Sequence, residues 1–178
     1  AGSAAPVRRG GAVRVVGPTQ WIIYPALAVL AATLLLGTPI EVFGLKLPEP
    51  VLPMVLAFAW PLIRPSMAAP ATLLVIGLFL DLFWGGPVGL WPLCLLVVYG
   101  GVLAARNLLV GQELRVLFGW YALATFGAFL LAYLIVTLRA GNAPSILALL
   151  GQMLPTLLAF IGAAWLIDRF DDTDVRFR

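Results

Sequence analysis

Gly77-Leu-Phe-Leu-Asp81-Leu-Phe-Trp-Gly85-Gly-Pro-Val-Gly89-Leu90 places a carboxylate inside a long apolar run, four residues before a glycine-proline turn. A second apolar run begins at once. The pattern predicts two membrane helices joined by a tight hairpin, with one acid held near the bend. At about 1.5 Å per residue Asp81 lies about 6 Å from the end of its helix. A charge at mid-membrane costs about 2.5–3.5 kcal/mol on insertion scales, which makes such an acid a functional candidate by default. Near the bend the cost is smaller, because the acid can accept hydrogen bonds from the Gly85–Gly89 turn amides or reach water. Gly77 lies one turn earlier on the same face, where a small residue lets a neighbouring helix approach. Three roles stay open for Asp81: fixing the hairpin or a helix contact, binding a partner, or handling a proton or ligand. Gly85, Gly86, Pro87 and Gly89 read first as a tight turn.

The remainder of the chain has the same character. Of 178 residues 62% are hydrophobic and 11% charged, and the mean hydropathy is +1.05. Soluble domains carry roughly 25% charged residues, so lipid is the expected solvent for most of this chain. A spanning helix needs about 20 apolar residues, and the length accommodates five or six with short connections.

Six runs are predicted as spans, at about 21–36, 51–63, 70–84, 87–105, 116–138 and 145–167. They form an all-α membrane domain over residues 20–168, between tails at 1–19 and 169–178. Pro70 is expected in the first turn of its helix. The second run is too short for the bilayer and holds Pro53 and Pro61, so it should pack against neighbours and not lipid. Trp60 and Arg64 mark its end. Ile40 to Leu47 alternate apolar residues with charges and suit a short strand or surface-lying piece. Residues 106–115 read as a polar loop. Ala124, Ala128 and Ala132 favour close helix approach, with Phe126, Phe129 and Tyr133 on another face. Pro155 interrupts the last span, and the tail after it is expected to fray.

With six spans, nine of the eleven Lys and Arg residues fall on the side of the termini, and only Lys46 and Arg139 on the other. The positive-inside rule then predicts both termini in the cytoplasm. Arg64 and Arg106 read as snorkelling anchors at that face.

Composition also narrows the chemistry. There is no histidine, Cys94 is the only cysteine, and the serines are Ser3, Ser66 and Ser145. Imidazole bases, Ser-His pairs and histidine metal sites are therefore absent from the chain itself. A second intramembrane aspartate to oppose Asp81 is lacking too. Neither an enzyme nor a cofactor is expected.

At Gly77-Leu78, Asp81, Gly85-Gly86-Pro87 and Gly89-Leu90 the chain resembles the MreD family, a small membrane subunit of the bacterial rod-shape machinery. Trp60-Pro-Leu-Ile-Arg64-Pro65 is similar to the family's upstream aromatic span. Many members carry histidine after the last glycine-leucine, where this chain has Trp91-Pro92, so no role of that histidine carries over. The resemblance implies a non-enzymatic scaffold in the bacterial inner membrane. It implies MreC, a single-span periplasmic coiled-coil protein, as partner. RodA, a penicillin-binding transpeptidase and MreB filaments would belong to the same complex for side-wall peptidoglycan synthesis, with no nucleic acid involved. It also implies a six-helix outline similar to the substrate-binding components of vitamin transporters. Two rivals remain at this stage. A vitamin-binding importer subunit would have an outward pocket lined by Trp84 and Trp91, with Asp81 at its edge. A proton- or ion-coupled channel would need a hydrated path past Asp81.

Overall fold

The computed structural model describes residues 14–38, 41–42, 45–46, 48–170 and 175–177. Expectations for Arg8, Arg9, Pro39, Ile40, Phe43, Leu47 and residues 171–174 lie outside these. The chain is mostly helical. Its elements are β1 (Arg14–Val16), α1 (Thr19–Leu36, opened by a π-helical turn at Thr19–Ile23), β2 (Glu41–Val42), β3 (Leu45–Lys46), α2 (Pro53–Ile63), α3 (Ala68–Trp84), α4 (Leu90–Ala104), α5 (Arg106–Leu109), α6 (Leu114–Ala140), α7 (Ile146–Leu158), α8 (Phe160–Arg169) and β4 (Val175–Phe177). The segments Thr19–Leu36, Leu114–Ala140 and Ile146–Arg169 are long and apolar enough to cross a membrane. Helices α2, α3 and α4 are apolar but shorter.

Helix α2 is hydrophobic all round, and all eleven of its residues are buried. Such a helix belongs at the centre of a bundle, and α4 and α8 pack against it. Phe58 of α2 meets Tyr121 of α6 edge-on at 5.3 Å between centroids, and Phe160 of α8 lies 5.4 Å from Tyr121. The outer faces are the reverse. Leu27, Leu35, Leu82, Leu147, Leu158 and Ile161 are all exposed, more apolar surface than a water-facing monomer presents.

The irregular backbone is satisfied by side chains. Pro48–Leu52 lead into α2; the Val51 and Leu52 carbonyls accept from Met54 and Val55, while Val51, fully buried, has no helical partner for its N–H. Its N–H donates to Thr156 Oγ at 2.9 Å. Thr156 sits where the last long segment breaks at Ala159, between α7 and α8. Its hydroxyl donates to the Gln152 carbonyl, and Tyr121 Oη–H donates to its own carbonyl at 2.7 Å. One threonine therefore serves two breaks in the helical ladder. At the far end of α2 the Pro61 carbonyl accepts from Arg106 Nε at 3.0 Å, a cation supplied to a helix C-terminus. Trp60 Nε1–H donates to the Trp21 carbonyl at 2.9 Å and ties α1 to the same region.

These contacts sort the ends of the bundle. The ends of α2 and α8, the 109–112 turn and the start of α6 surround one cavity. Arg64, Arg106, Arg115 and Arg169 thus belong to one end. β1 pairs in parallel with β4, Arg14 opposite Val175, so the two terminal segments meet.

Several expectations need correction. The fourth helix starts at Leu90 and not Pro87, because the turn closes only when Leu90 N–H reaches the Pro87 carbonyl and Gly89 turns left-handed at φ +95°. The loop after Arg106 contains α5. Pro70 stands at the third position of α3, within its first turn as expected. The last span is two helices that part at Ala159, four residues beyond Pro155, through which α7 runs unbroken. Of the tail, Val175–Phe177 is not frayed but paired with β1. The strand-like piece expected near residue 42 is present as β2 paired antiparallel with β3.

Candidate functional site

Asp81 is 1% exposed, and both ends of the residue are used. Its backbone carbonyl accepts the N–H groups of Gly85 and Gly86, which closes α3. Gly85 is left-handed at φ +65°, a conformation that carries a penalty of about 1–2 kcal/mol for residues with a Cβ. The carboxylate then reaches across the turn. Oδ2 accepts from Gly89 N–H at 2.7 Å and Oδ1 from Trp91 N–H at 3.0 Å.

The first turn of any helix has donors without intrahelical partners. Here Gly89 provides no side-chain cap to α4, and Asp81 serves as the cap from the preceding helix. Leu90 N–H goes to the Pro87 carbonyl and Leu93 N–H to the Gly89 carbonyl. Pro92 has no donor to satisfy. A carboxylate is also favoured at a helix N-terminus by the macrodipole, by about 0.3–1 kcal/mol at exposed sites and up to about 2 when partly buried. Each carboxylate oxygen therefore has a backbone donor in this position.

Gly77 explains how the helices come this close. A Cβ there would lie 2.5 Å from Pro92 N and 2.6 Å from Pro92 Cα, both backbone atoms. Only glycine fits. Proline on the other side brings no N–H into the contact. The Trp91-Pro92 pair therefore has local uses of its own: one amide for Asp81 and one donor-free approach to Gly77.

Around this hairpin the aromatic rings fill space with one another. Trp84 meets Trp91 at 5.7 Å, and Trp91 meets Phe129 of α6 at 5.8 Å, both edge-on. Trp84 Nε1–H donates to Glu49 Oε2, which connects the hairpin to the lead-in of α2. The sequence carries no signal for this pairing, because Glu49 and Trp84 are 35 residues apart.

Gly77, Asp81, Gly85, Gly86, Pro87 and Gly89 are thus brought together. Trp60 and Arg64 are not: they lie at the other end of α2, where Trp60 is fully buried against α1 and Arg64 N–H caps onto the Trp60 carbonyl. Cys94 is buried. No group of three or more metal-ligating side chains occurs among the described residues.

Two apolar openings face sideways. One, about 420 Å³, lies between α4 and α6 and is lined by Gly101, Ala105, Ala124, Gly127 and Ala128 over Phe58. The other, about 250 Å³, lies between α6 and α7 and is lined by Phe126, Phe129, Tyr133 and Met153. No family model matches the chain, and no curated protein or solved structure matches it.

Proposed function

We propose that this chain is a non-enzymatic membrane scaffold of the MreD type, a subunit of the cell-elongation complex whose direct partner is MreC. The observation that carries the reading is the use of Asp81. The acid of the Gly77–Leu90 motif is spent on the backbone of its own hairpin, so the motif works as a fastener between α3 and α4. That leaves the lateral helix faces for interaction. The α4–α6 groove supports this, because its glycines and alanines admit another helix backbone at close range. MreC's single span is the proposed occupant.

In this reading six segments cross the inner membrane. The eleven residues of α2 cover about 17 Å, and the non-helical lead-in before Leu52 adds to that length against a core about 30 Å thick. Non-helical backbone at that depth is tolerated when buried and bonded, as Val51 is. The gathering of arginines at the end where the terminal strands pair supports cytoplasmic termini. Co-expression with MreC and affinity capture in detergent tests the proposal: MreC should co-purify in fixed ratio.

A second reading, a small-molecule binding subunit of a vitamin importer with a similar six-helix outline, is favoured by the aromatic lining of the α6–α7 opening. It predicts a bound small molecule in the purified chain and no retention of MreC. Trp84 and Trp91, the rings it would use for its pocket, pack edge-on against each other.

A further inference from the structure

The cleft between α1 and α8 differs from the two apolar openings, because its wall carries a cation. It holds about 440 Å³ and is lined by Gln20, Tyr24, Pro25, Ala28, Trp165 and Arg169, among others. The Arg169 guanidinium lies over the Trp165 ring, 5.4 Å from its centroid. Tyr24 and Trp165 are 61% and 60% exposed. Among the described residues no carboxylate lines the cleft: Asp168, the residue before Arg169, lines the separate cavity beside α2.

The arrangement is graded. Amphipathic rings belong at the headgroup level of a bilayer, and the polar groups of Gln20, Tyr24, Trp165 and Arg169 gather there. Arg169 stands in the last turn of α8, where a cation is favoured. Pro25 and Ala28, further along α1, are small and leave an apolar trench. Basic pockets between membrane helices suit anionic headgroups.

We propose that the α1–α8 cleft binds an anionic phospholipid. The phosphate sits against Arg169 with Gln20 and Tyr24 as neutral donors, and one acyl chain lies along Pro25 and Ala28. A partner helix fits only if it brings its own carboxylate, since covering Arg169, which has no ion pair among the described residues, is otherwise costly in a membrane. A zwitterionic lipid would bring its own ammonium beside Arg169. The proposal rests on the chain lying in a membrane, not on its binding MreC, so loss of MreC capture would leave it standing.

The test is native mass spectrometry of the purified chain with phosphatidylglycerol and phosphatidylethanolamine of equal acyl length, mixed in equal amounts. Phosphatidylglycerol should be retained about fivefold over phosphatidylethanolamine, as expected for about 1 kcal/mol from one arginine at an anionic surface. Arg169→Gln should remove that preference and Arg169→Lys should keep most of it. Arg139→Gln, at the other end of the bundle, should leave it intact. Equal retention of the two lipids, an unchanged preference in Arg169→Gln, or an equal loss in Arg139→Gln would overturn the proposal, as would a polypeptide held in the cleft. If Arg169→Gln shifts the melting point, Gln20→Glu decides: an added acid in the cleft should abolish the preference, and an unchanged preference overturns the assignment.

Discussion

Asp81 and Trp91 are ten residues apart in sequence, and the carboxylate of the first accepts the backbone N–H of the second at 3.0 Å. The same carboxylate holds Gly89 N–H. A buried acid in a membrane helix invites a chemical role, but here the geometry assigns it the caps of the next helix.

Asp81→Ala should therefore lower the stability of the purified protein. Two buried donors lose their acceptor, at about 1–3 kcal/mol for each group left unsatisfied. Thermal unfolding in detergent should show a reduced midpoint and a lower folded yield. An unchanged midpoint would remove Asp81 from the fold's supports.

Gly77→Ala should destabilise as well, because the new methyl meets the Pro92 backbone and not a flexible side-chain tip. Overpacking of this kind costs about 1–3 kcal/mol. Gly119→Ala is the contrast. It has open space around it, and alanine is favoured over glycine in a helix interior by roughly 0.5–1 kcal/mol. If the two variants melted together, the close approach of α3 and α4 would not be the reason for glycine at 77.

Thr156→Val keeps the shape but takes away the acceptor for Val51 N–H. A loss of about 1–3 kcal/mol is expected. Hydrogen exchange should show faster exchange at Val51, while Gly89 and Trp91 amides keep their protection. Equal exchange at Val51 in both proteins would mean that the lead-in to α2 is held some other way.

Reporter fusions to the two ends should report the same compartment, since β1 and β4 pair, and in the proposed topology that compartment is the cytoplasm. Opposite reports from the two ends would break both the strand pairing and the six-crossing reading.

Much of the hairpin was legible in the sequence, for a local reason. Asp81, Gly85 and Gly89 lie within nine residues, and turn chemistry there is set by neighbours along the chain. Short, proline-bearing α2 also declared itself as a central helix. What escaped was non-local. Nothing in the spacing says that Pro92 will face Gly77, that Glu49 will meet Trp84, or that Thr156 will serve the start of α2, 105 residues away. These pairings depend on which helices become neighbours. The α7–α8 break was only partly visible, because Pro155 signals a weakness in the ladder but not the residue at which it parts. The sequence reading set Arg64 at the face of the termini, away from the Asp81 turn, and the structure does separate the two, at opposite ends of the bundle.

The central claim is that this chain works by being held by another chain along α4 and α6. A photo-crosslinking residue at Leu123, on the wall of that groove, in cells that also carry MreC, tests it most directly. A crosslink to the single span of MreC is the predicted result. Absence of that crosslink, with a small molecule recovered from the purified chain instead, would contradict it.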